Sequence, residues 1–215
     1  MGRLTVRAVT GIRWNWGRTA PQVTIPSARG FWNSSEDVDP FPAYSHDIRL
    51  VRSVAADVAR RFPIPQPITI AVLEKESVKR TNGECEIHYD HKTKPYKWTA
   101  SIKLWGKRIP PHPAMTRYLV AHEYGHAVAQ ELAYRRGDLT CDELYKEYRR
   151  IRRLSTAPRD GNGGTWHAAV TEIFANDFRI LVAGVEPEFW PHPGVARPEK
   201  VQAVQAFWKA ALKTV

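Results

Sequence analysis

Residues 119–129 read LVAHEYGHAVA, and this stretch decides how the rest of the chain is organised. His122 and His126 are four residues apart. On a helix that spacing puts them about 40° apart, so both imidazoles reach one ion. Glu123 lies on the flank of the same face, one residue from a ligand. From there a carboxylate reaches a water on the metal without ligating the metal itself. Two neutral nitrogens hold Zn²⁺ and leave positions open, while the carboxylate takes the proton of the water. The flanks Leu119, Val120, Ala121, Ala127, Val128 and Ala129 carry no charge, which predicts a buried helix. Two His and a Glu buried with neither ion nor partner would be costly.

Working outward, the helix is predicted over 114–134. Pro110, Pro111 and Pro113 precede it, and Arg135, Arg136 and Gly137 form its stop signal. Upstream, Ile48, Val51, Val54, Ala55, Val58 and Phe62 make one apolar stripe, predicting a helix over 45–62 that ends at Pro63. Residues 68–73 (ITIAVL) form a buried-strand pattern. Residues 84–89 and 98–105 alternate and are joined by a lysine- and proline-bearing turn, so they predict a hairpin. Downstream, Thr140 with Glu143 predicts a capping box for a helix over 142–154. A polar loop follows at 155–164. Thr165 then caps a helix to about Ala183, and a last helix covers 198–212. Helix, strands and then helices is an α+β order rather than alternating βαβ.

A third metal ligand is required. HExxHxxGxxH is excluded, because Ala129 and Leu132 stand where its glycine and histidine belong. The helix over 165–183 offers Glu172 among Val170, Ile173, Phe174, Phe178 and Leu181, and a buried acid there calls for a cation. His167 is the rival ligand. Asn176 or Asp177 is placed to hold a ligand histidine by its other ring nitrogen. Tyr124 reads as packing, Gly125 as a point of close helix approach, and His88 and His91 as surface residues. Cys85 and Cys141 read as unpaired thiols.

HEYGH followed 46 residues later by Glu172-Ile-Phe-Ala-Asn-Asp-Phe-Arg179 resembles the zincin metallopeptidases of the gluzincin type. It is similar to the peptidase domain of anthrax lethal factor and its small relatives. The resemblance covers residues 45–183. It implies a zincin-like α+β fold: a small mixed sheet, an HExxH active-site helix and further helices. It implies Zn²⁺ held by His122, His126 and Glu172, with Glu123 as general base in peptide-bond hydrolysis. It also implies an edge strand lining the cleft, for which residues 98–105 are the candidate. Lethal-factor-like enzymes carry a transition-state Tyr about seven residues before the ligand Glu. Thr165 stands there, so His167 or a tyrosine from elsewhere must serve.

Charge supplies a second reading from another class. Lys and Arg number 32 against 22 Asp and Glu, for a formal net charge of +10. Residues 1–35 hold Arg3, Arg7, Arg13, Arg18 and Arg29 and no acid, and Arg149, Arg150, Arg152 and Arg153 form another cluster. Residues 1–43 therefore read as a basic arm, extended along the domain or added to it as a strand, and 44–215 as the metallopeptidase domain. The alternative is a nucleic-acid-associated protein whose metal site is structural or accessory. The expected partner is otherwise a peptide or protein substrate. Hydrophobic residues make up 43%, enough for a real core, yet no apolar run spans a bilayer. The arginine-bearing start has no apolar run of its own, so the expected compartment is the cytoplasm.

Overall fold

The computed structural model describes residues 4–9, 38–42, 44–77, 82–92, 96–107, 110–154, 169–186 and 188–214. The fold is α+β. Strands β1 (Leu4–Val9), β3 (Ile68–Leu73), β6 (Lys97–Leu104) and β5 (Gly83–Asp90) form a mixed sheet in the order β1-β3-β6-β5. β1 and β6 run parallel to β3, and β5 runs antiparallel to β6, with Glu84 opposite Lys103 and Asp90 opposite Lys97. The hairpin expected from the two alternating stretches is therefore formed. Strands β2 (Val38–Pro42) and β4 (Lys75–Ser77) make a separate two-stranded pair.

One expectation is corrected here. Residues 98–105 are not an edge: β6 is bonded on one side to β3 and on the other to β5. Alternation reports which face a strand buries, not how many neighbours it has. On β6, Trp98, Ala100, Ile102 and Leu104 enter the core, while Lys97 and Thr99 are exposed. Among the described residues the edges of the sheet are β1 and β5.

The helices cover the apolar face of the sheet. Helix α1 (Ile48–Arg61) starts at Asp47, whose carboxylate accepts from the amides of Arg49 and Leu50. It buries Val51, Val54, Ala55 and Val58. Helix α2 (Pro113–Arg135) carries the histidines. His112 caps it by accepting from the Ala114 amide, Pro113 occupies the first turn, and Gly137 takes a positive φ of 88° just beyond the end. From Leu119 to Ala133 almost every residue of α2 is buried. That is the signature of a helix enclosed on all sides.

Helix α3 (Asp142–Arg152) starts one residue later than a Thr140 cap requires. Cys141 holds the cap position, Thr140 Oγ1 donates to Asp142 instead, and Glu143 pairs with Lys146. The capping box is therefore not made. Helix α4 (Val170–Leu181) and helix α5 (Gln202–Leu212) complete the layer, with a single 3₁₀ turn at Pro198–Lys200 before α5. Thr165, the expected cap of α4, lies outside the described residues. Tyr148, Phe174, Phe178, Phe207 and Trp208 lock α3, α4 and α5 through edge-on and tilted ring contacts. No helix among the described residues is long and apolar enough to cross a membrane.

Candidate metal centre

Gly125 determines how close α4 comes to α2. A Cβ on it would lie 2.9 Å from the Ala175 Cα and 3.0 Å from the Ala175 oxygen, so the two backbones touch there. That contact sets Glu172, one turn before Ala175, against the histidine face of α2. His122 Nε2 lies 3.0 Å from Glu172 Oε2, and His126 Nε2 lies 3.6 Å from Glu172 Oε1. The donor atoms of all three side chains fall within 4.8 Å of one another. Ligand atoms about 2.0 Å from a tetrahedral zinc ion are about 3.3 Å apart, and the two observed spacings bracket that value. Two imidazoles and a carboxylate suit zinc in chemistry as well as geometry, and a tetrahedral ion held by three such ligands would have a fourth position to fill. His122 is sealed in the interior, whereas the His126 and Glu172 side chains remain 18% and 17% exposed. Access to the site is therefore from their side.

The electrostatics follow from burial and from the mutual contacts. Burial alone would raise the Glu172 carboxyl, but the hydrogen bond from His122 and the charges of His126 and His122 hold it down at about 2. Burial lowers His126 to about 4. Burial pushes Glu123 up to about 7, against the opposing pull of His122. A base with that affinity exchanges protons near neutrality. Glu123 also has a neighbour that sequence reading did not identify. A Cβ on Gly83, at the start of β5, would stand 2.5 Å from Glu123 Oε1. The glycine leaves the volume that the carboxylate occupies.

Around the centre, Asn176 and Asp177 do not hold a ligand histidine, contrary to expectation. Asn176 Nδ2 donates to the Glu172 backbone oxygen and to Nε2 of the buried His192, both at 3.0 Å. Asp177 lies about 140° round the helix from Glu172. It meets α3 instead, accepting from Tyr148 and from the Arg152 guanidinium. Arg152 is thereby taken out of the basic cluster, while Arg150 and Arg153 remain exposed.

Tyr118, one turn before His122, stacks on the His122 ring at 5.5 Å with 10° between the planes. Its helical spacing makes it legible in retrospect, whereas nothing in the sequence marks His192. Tyr124 is packing, as expected, and donates to the Phe62 carbonyl. His88 and His91 lie at the surface. Cys85 and Cys141 are free thiols. His167, the expected catalytic residue and rival ligand, lies outside the described residues. The chain matches no protein-family model, no curated protein and no solved structure.

Proposed function

We propose that the protein is a zinc-dependent metallopeptidase of the zincin, gluzincin type. The observation that carries this reading is the convergence of His122, His126 and Glu172 with Glu123 beside them. Zinc, when bound, supplies Lewis acidity towards a substrate carbonyl and lowers the pKa of a coordinated water. The remaining work falls to the chain. Glu123, held between α2 and Gly83, takes a proton on its carboxylate and returns it to the departing amine nitrogen. His122 and His126 must each present an unprotonated Nε2 to serve as ligands. The partly exposed side of the centre admits the substrate. β5, the edge beside α2 among the described strands, is where an extended peptide can add as a further strand.

Metal content and activity test the reading together. Purified, chelator-free protein should carry one zinc per chain by elemental analysis, and His122→Ala should lose it. Glu123→Gln should keep zinc and fold while peptide hydrolysis falls about 10²–10⁴-fold. Absence of stoichiometric metal in the parent protein would overturn the proposal. Full activity of Glu123→Gln on a substrate cleaved by the parent would remove Glu123 from the mechanism.

A further inference from the structure

Arg179 is fully buried, and among the described residues no carboxylate lies within ion-pair distance of it. A buried cation without a partner acid is costly unless its donors are employed, and four of the five N–H groups of Arg179 are. Nε donates to Asn176 Oδ1 at 3.1 Å, Nη1 to the carbonyls of Val185 and Glu186, and Nη2 to the carbonyl of Phe189 at 2.8 Å. The guanidinium carbon also sits 4.5 Å from the centre of the Tyr118 ring. Tyr118 in turn stacks on His122, and Phe189 meets Tyr118 edge-on at 6.0 Å. One side chain therefore joins the helix of Glu172, the carbonyls of Val185, Glu186 and Phe189, and the ring packed on His122.

We infer that Arg179 is a positioning residue for the metal centre. It fixes the His122 ring through Tyr118, and it fixes the Glu172 backbone through Asn176. The inference rests on the metallopeptidase reading for the identity of the centre. The contacts demand a planar fork with several donors over an aromatic face, which lysine cannot reproduce although it keeps the charge. A purely structural arginine would anchor the carbonyls of Val185, Glu186 and Phe189 and leave His122 unaffected.

Arg179→Lys and Tyr118→Leu separate these roles, because the second removes the intervening ring and leaves every hydrogen bond of Arg179 in place. Each variant is first checked for cooperative thermal unfolding. Zinc affinity is then measured by competition with a chromogenic chelator. The His122 ring-proton resonances are recorded in the ion-free protein. The expected result is a loss of about tenfold or more in zinc affinity in both variants, the scale on which residues supporting a ligand act, with displaced His122 resonances in Arg179→Lys; in Tyr118→Leu the lost ring current moves them in any case, so affinity alone is read there. Parent-like affinity in either folded variant, or parent-like resonances in folded Arg179→Lys, would overturn the inference. If Arg179→Lys does not fold, Tyr118→Leu decides. If the parent itself takes up no zinc, the metallopeptidase reading falls. The His122 resonances of Arg179→Lys then decide separately, and unchanged resonances overturn the role of Arg179.

Discussion

Gly83 and Glu123 meet where β5 passes α2, and the contact between them is a matter of one missing carbon. A Cβ at position 83 would lie 3.0 Å from Glu123 Cδ as well as 2.5 Å from Oε1, so the carboxylate must swing away to admit it. Gly83→Ala is therefore expected to lower peptidase activity at least about tenfold, since a misplaced base loses much of its contribution. Zinc content and unfolding midpoint should stay near those of the parent. Unchanged activity, measured on a substrate that Glu123→Gln fails to cleave, would show that the base has room to spare. The two kinds of residue differ in legibility for a physical reason. His122, Glu123 and His126 are related by helix geometry alone, so five residues of sequence fix their relation. Gly83 acquires its role only when the sheet docks on α2, and an isolated glycine at a strand start reads as a turn.

At the scale of the element, α4 carries two different loads on two faces. One face presents Glu172 to the histidines. The other holds Asp177 against Arg152 and Tyr148 of α3, with Trp208 of α5 donating to the same tyrosine hydroxyl at 3.1 Å. The Arg152 and Asp177 side chains are essentially inaccessible, at 1% and 0%. Asp177→Asn would leave a buried guanidinium without its counter-charge, and the expected loss is about 3–5 kcal/mol in a denaturant titration. Asp57→Asn, which breaks the exposed pair with Arg60, should cost at most about 1 kcal/mol. Equal effects of the two changes would contradict the burial of the α3–α4 contact. Periodicity made α1, α2 and β3 legible almost to their ends. It failed at the start of α3, where one residue of register decides whether Thr140 or Cys141 is the cap. It also mistook Asp177 for a support of the metal, because an acid near a ligand in sequence is not near it round a helix.

For the whole molecule, composition made the charge of the first 43 residues visible, and of the two forms expected for this arm Leu4–Val9 takes the added strand. Leu4–Val9 lies beside Ile68–Leu73 in parallel register along its whole length, so this stretch is a strand of the sheet. Parallel neighbours far apart in sequence leave no local turn signal, and the same blindness made β6 look like an edge. The consequence bears on the nucleic-acid reading. Deleting the arm to test its charge would also strip the strand that covers β3. Ile68, Ile70 and Val72 of β3 are core residues, and an uncovered strand of that composition invites pairing with other chains. Removal of residues 1–9 is therefore expected to lower the unfolding midpoint and to produce higher-order species in light scattering. Charge reversal is the cleaner probe. Arg150→Glu with Arg153→Glu changes two exposed positions, one on α3 and one at its C-terminal cap, and leaves the sheet alone. If the basic surface binds nucleic acid there, the slope of log affinity against log salt should fall by about 2. An unchanged slope in a folded double variant would exclude α3 from any such contact, and a stable, monodisperse protein lacking residues 1–9 would show that β1 is dispensable to the sheet.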